Sequence, residues 1–136
     1  MLRFERLRVW HEAIALFEAA DRVPQAFPPS ERFVLTDQFR RAALSVSSNI
    51  AEGAGRETSK EAQHFFTIAK GSVFEVVGIL TVCRRQRLIS VAPYEDIHDR
   101  VEDISKMLSG LKRFSGVTAE KPSSRLAARV SGLASG

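Results

Sequence analysis

Histidine, glutamate, arginine and a run of small polar side chains are the residues here that could do chemistry, and their spacing limits what that chemistry is. His11-Glu12 begins as the helical zinc motif His-Glu-x-x-His begins, but Ala15 stands where the second histidine belongs. His64 and His98 have no cysteine partners at zinc-finger spacing and read as surface or boundary histidines. Gly53-Ala54-Gly55 lacks the third glycine of a dinucleotide fingerprint, and Lys70-Gly71-Ser72 inverts the order of a phosphate loop. Of the many carboxylates, Glu52 and Glu75 alone stand amid apolar helical sequence, where pairing to an arginine such as Arg40 or Arg41 is expected before proton transfer. No nucleophile elbow or Ser/His/Asp order is present, so the chain reads as no enzyme, with no catalytic residue, metal or cofactor.

Basic clusters remain. Arg40-Arg41, Arg56 with Lys60, Arg84-Arg85 with Arg87, and Lys112-Arg113 could each meet phosphate, because a planar guanidinium binds two oxygens at once. The last two clusters equally suit helix C-termini, where cations complement the macrodipole. The formal net charge is +4, of which residues 117–136, with three basic and one acidic residue, supply +2. Such a balance admits an acidic partner without requiring one. Cys83 is the single cysteine, so an intrachain disulfide is excluded, and with a charged N-terminus and no apolar run of spanning length the expectation is a cytoplasmic protein with no membrane contact.

The elements that must position these residues are helices. Leu7 to Val23 carries Trp10, Ala13, Ile14, Phe17 and Ala20 at helical spacing and ends at Pro24. After Phe27-Pro28-Pro29, Ser30 is the expected N-cap of a second helix running toward Gly53. Within it, Leu35, Phe39, Ala42, Ala43, Val46 and Ile50 share one face. Arg40, Arg41, Ser45, Ser48, Asn49 and Glu52 lie elsewhere on that helix. So many Ser and Asn residues weaken a helix, because their side chains compete for backbone hydrogen bonds; packing must therefore hold this one.

Thr58 to Glu61 reads as a capping box that starts the longest helix, to Arg87. Its main stripe is Ala62, Phe65, Phe66, Ala69, Val73, Val76, Val77, Leu80 and Cys83, with Ile68, Ile79 and Val82 beside it. An arc this wide implies burial on two sides, in a bundle and against another subunit. Gly71 and Gly78 inside it suggest close approach of another helix. The fourth helix starts near Pro93, and Ile97, Val101, Ile104, Leu108 and Leu111 give it a 4-3-4-3 seam. Period-two alternation is absent, so the fold class is all-α. The expected domain is 1–116, followed by a flexible basic tail over 117–136.

Leu7-Arg8-Val9-Trp10, Phe27-Pro28, Leu35-Thr36-Asp37-Gln38, Arg40-Arg41-Ala42-Ala43, Ser48-Asn49-Ile50-Ala51-Glu52-Gly53, Gly55-Arg56 and Ala69-Lys70-Gly71-Ser72 with Glu75 occur in order along this chain. From about Phe4 to Phe114 they resemble the four-helix bundle family, also called the 23S rRNA intervening-sequence proteins. Two departures stand out: Val46-Ser47-Ser48-Asn49 replaces the usual Ile-Pro-Ser-Asn, weakening an expected helix kink, and Val34 replaces a glycine. The resemblance implies an antiparallel up-down four-helix bundle that assembles as a homopentameric ring. It also implies RNA or DNA as a partner, or a protein partner such as a reverse transcriptase, since a similar protein is the accessory variability factor of diversity-generating retroelements. On this reading Arg40, Arg41, Arg56 and Lys60 contact nucleic acid, while Trp10, Asn49, Glu52, Gly71 and Glu75 serve structure and assembly. The alternative is an interaction scaffold whose arginines are structural ion pairs.

Overall fold

A computed structural model describes residues 1–23 and 29–120. A 3-10 turn at Arg3–Arg6 leads into four helices: α1 Arg8–Arg22, α2 Pro29–Ala54, α3 Ser59–Arg85 and α4 Val91–Glu120. The expected stop at Pro24 and the Phe27-Pro28 pair lie outside the described residues, as does the tail from residue 121. α2 starts at Pro29, so Ser30 sits inside the first turn rather than capping it; proline suits that position, where its missing N–H has no acceptor to lose. α4 continues four residues past the boundary expected at Gly116.

Contacts between the helices fix their directions. Ser45 meets Ser72, while Gly53, later on α2, meets Phe66, earlier on α3. Gln63 reaches the Lys112 carbonyl, and Lys70, later on α3, reaches Ser109, earlier on α4. Asp21 at the end of α1 pairs with Arg40, whereas Arg3 ahead of α1 bonds the carbonyl of Ala54 at the end of α2. Each neighbouring pair is therefore antiparallel, the up-down arrangement that short connections favour.

The core is one cluster drawn from all four helices. Leu16, Phe39, Ile50, Leu80, Ile104 and Leu108 are fully buried in it, each contributing about 1.5–3 kcal/mol by removal from water. The α4 seam packs as its period predicts, with Ile97, Val101, Ile104 and Leu108 buried and Leu111 at the border. On α1 the buried face is rotated from the expected stripe: Val9, Ala13, Leu16, Ala19 and Ala20 point inward, and Trp10 and Phe17 pack at its edge. Small alanines at the centre let the helices close together, which leaves the bulky rings at the margin. Trp10 there stacks edge-on against Phe4, with ring centroids 4.9 Å apart, and so ties the N-terminal turn to the bundle.

Two helix ends carry identifiable signals. Thr58 Oγ1 accepts the Glu61 amide at 3.1 Å and caps α3, although Glu61 makes no return bond in the described structure. At the other end the Arg87 amide donates to the Arg84 carbonyl at 3.0 Å and the Leu88 amide to the Cys83 carbonyl at 2.8 Å, the paired bonds of a Schellman turn. That turn places its C′ residue in the left-handed region, and here the residue is Arg87, with φ of 62°. Glycine is usual at such a site; a side chain there costs on the order of 1–2 kcal/mol.

The hydropathy of α3 exceeds what the bundle uses. An 18-residue window reaches a mean hydropathy of 1.6, so by length and composition this helix could cross a membrane, which corrects the expectation that no segment has spanning length. Only 33% of that window is buried within the chain. Val77 and Ile79 pack at the edge of the core, while Ile68, Phe74 and Val82 stay exposed.

Candidate functional site

The crowding of Ser and Asn in α2 resolves into a polar ladder between α2 and α3. Ser45 and Ser72 share a hydrogen bond of 2.8 Å, and the Asn49 amide donates to both the carbonyl and the hydroxyl of Ser45, at 2.9 and 3.1 Å. Ser72 is buried and also donates to the Ile68 carbonyl. Buried hydroxyls satisfied in this way fix helix register, because a slip would leave them unpartnered. Ser47 bonds the Leu44 carbonyl at 3.0 Å, and α2 runs unbroken through the position where the family usually has proline. Asn49 thus ties back one turn along α2 to the hydroxyl that meets Ser72.

The cations expected to meet phosphate each stand on the surface, but in two places. Arg40 and Arg56 are sixteen residues apart on one helix, about 24 Å at 1.5 Å per residue. Each arginine has a carboxylate: Arg40 with Asp21 at 2.7 Å, Arg41 with Asp37 at 3.7 Å, Arg56 with Glu52 at 2.6 Å. Glu52 is therefore paired, but to Arg56 one turn on rather than to Arg40 or Arg41. Arg56 also lies over the Phe65 ring, 4.5 Å from its centroid, which orients the guanidinium. Lys60 is exposed and has no carboxylate partner among the described residues. Glu75, expected to be paired, is exposed and likewise unpaired among the described residues.

Gly71 and Gly78 correct the sequence reading within the chain. A methyl group built on either would meet nothing within 4 Å, so neither admits a neighbouring helix of its own bundle. They lie instead on the outer face of α3 with Ile68, Phe74 and Val82, which are 39%, 61% and 49% exposed. Ile68, Gly71, Phe74, Gly78 and Val82 follow at steps of three and four, so they form one stripe roughly opposite the buried side of the helix. Phe74 had no part in the sequence reading. Its place midway between two glycines at helical spacing was the available signal. Gly53 is the reverse case, since its absent side chain makes room for Phe66.

The cleft at the α2–α3 turn, about 310 Å³, is lined by Arg3, Leu7, Gly53, Arg56, Thr58 and Phe66 among others, and Glu52, Asn49 and His64 are not in its wall. His11 Nε2 donates to the Glu5 carbonyl at 2.7 Å, a structural bond that occupies the would-be zinc ligand. His98, Asp99 and Glu102 bring donor atoms within 4.8 Å of one another on the surface of α4, an ordinary consequence of helical spacing among exposed charges. Cys83 is fully buried, and burial pushes its thiol up, so it stays protonated at neutral pH. A thiol reagent is expected to label folded protein no faster than the protein opens. Because the unfolded thiol ionises first, near a pKa of roughly 8.5, while the folded one keeps its proton, stability is expected to fall as pH rises through that range; alkaline denaturation of wild type against Cys83→Ala measures it.

The family profile described as 23S rRNA-intervening sequence protein matches residues 5–110. No curated protein matches the chain.

Proposed function

The chain belongs to the 23S rRNA-intervening sequence protein family, and from that membership and the surface of α3 we propose that it works as a self-assembling, non-catalytic bundle that binds a nucleic-acid backbone. The carrying observation is the uncovered stripe from Ile68 to Val82. Its two glycines allow backbones to approach, its 3-4 spacing suits lengthwise helix packing, and Glu75 is the titratable group placed among them. A second copy of the same chain is its occupant, consistent with the ring that the family resemblance implies.

Assembly is what makes sparse cations sufficient. A subunit that touches few phosphates binds weakly, but linked copies engage one strand together and their affinities compound. The pairs made by Arg40, Arg41 and Arg56 are exposed, and such pairs are worth only about 0–1 kcal/mol, so a phosphate can replace the carboxylate. Arg40→Gln/Arg41→Gln/Arg56→Gln is expected to fold, to bind labelled RNA more weakly, and to lower the salt slope by about 0.7–0.9 for each phosphate that the variant no longer neutralises. Fluorescence anisotropy at several salt concentrations measures this. Unchanged affinity and slope would remove these arginines from the interface.

The same ion pairs favour a second reading. If the arginines are structural, the bundle is a scaffold for a protein partner, such as a reverse transcriptase, and the triple variant loosens the assembly without affecting any RNA.

A further inference from the structure

A group of guanidinium side chains without carboxylate partners among the described residues lies at the opposite end of the bundle from Arg56, around the turn between α3 and α4. Arg84, Arg85 and Arg87 follow one another there. Arg22, at the end of α1, borders the same depression as Ile89 and Ser90. None of the four makes an ion pair among the described residues. Of the acidic groups at this end, Asp96 is engaged by Arg100 at 3.1 Å and Asp21 by Arg40 at 2.7 Å. Arg84 is half-buried and donates to the Ile89 carbonyl at 3.4 Å, so it braces the turn, whereas Arg22, Arg85 and Arg87 are exposed.

Helix C-termini attract cations, and that alone would account for Arg84 and Arg85. It does not account for Arg87. The Schellman turn forces this residue to φ of 62°, where glycine is favoured, and the helix end is already satisfied by the amides of Arg87 and Leu88. A strained side chain kept at an exposed turn, with its charge unmet, points to a ligand that meets it. Planar guanidinium groups gathered at one end of the bundle, none in an ion pair among the described residues, suit the oxygens of a phosphodiester.

We propose that the α3–α4 turn, through Arg85 and Arg87 with Arg22 at the same end of the bundle, is a phosphate-contacting site for the nucleic-acid backbone. It rests on the nucleic-acid reading above and adds residues that reading does not contain.

The test uses the full chain, labelled single-stranded RNA, and anisotropy across a salt series, with Arg85→Gln/Arg87→Gly as the variant. Replacing the strained arginine by glycine is expected to raise the melting temperature or leave it unchanged, so weaker binding would not reflect unfolding. The salt slope is expected to fall by about 0.7–0.9 for each phosphate left without its arginine. A slope equal to wild type overturns the site while leaving the nucleic-acid reading intact. No salt-sensitive binding by wild type overturns that reading, and the site with it. A melting temperature that drops with the slope also overturns the site, because Arg87 would then be holding the fold.

Discussion

Gly71→Glu/Gly78→Glu is expected to give folded monomers of about 15.1 kDa where wild type forms the proposed assembly. Both glycines face open space within the chain, so the new side chains displace nothing in the bundle. Replacing two glycines in a helix also adds up to about 1 kcal/mol of helix propensity each, so the monomer should melt no lower than before. In the assembly the outcome reverses. Two carboxylates would enter an apolar contact beside Glu75, where burying an unpaired charge costs several kcal/mol; about 4 kcal/mol already weakens association roughly a thousandfold. Light scattering gives the mass and circular dichroism the fold. A double variant with the mass of wild type would show that this face is not the interface.

The same kind of change at Gly53 is expected to do the opposite. A methyl group there would lie 2.6 Å from the Phe66 ring and 3.1 Å from the Ala62 carbonyl. Phe66 is buried, and the carbonyl belongs to the backbone of α3. Gly53→Val is therefore expected to displace the Phe66 ring or push α2 and α3 apart, at a cost of about 1–3 kcal/mol, and to disturb the cleft floor beside Arg56. Urea denaturation reads the midpoint; a midpoint equal to wild type would mean the two helices have slack the packing does not suggest. Glycines on adjoining helices thus have contrary roles, and only their neighbours tell them apart.

Period alone located four helices and the α4 seam, since burial along a helix repeats with its turn. It found the breadth of the apolar arc on α3, but not that Gly71 and Gly78 lie on its open side, because a period says which residues share a face and not what faces them. Arg41 with Asp37 and Arg56 with Glu52 follow from spacing of four residues; Arg40 with Asp21 depends on how α1 is offset against α2, which no local pattern contains. The α1 face shifted toward its alanines because close packing favours small centres over aromatic ones. Arg87 in the left-handed region was illegible, since a C′ position is recognised by the glycine it lacks.

The resemblance supplied the family, and the structure supplied reasons for its polar signature. Ser45, Asn49 and Ser72 join two helices, Gly53 lets them approach, and the arginines stay on the surface. The exposed apolar stripe of α3 and the cations without carboxylates among the described residues are what the proposed assembly and binding would use.

Sedimentation velocity of the full chain mixed with fluorescent single-stranded RNA, followed at the dye wavelength at low and high salt, tests assembly and binding most directly. The RNA should move with a species of several subunits at low salt and return to its own sedimentation rate at high salt. RNA that sediments alone at both, beside a protein boundary of about 15.1 kDa, would contradict both the assembly and the binding.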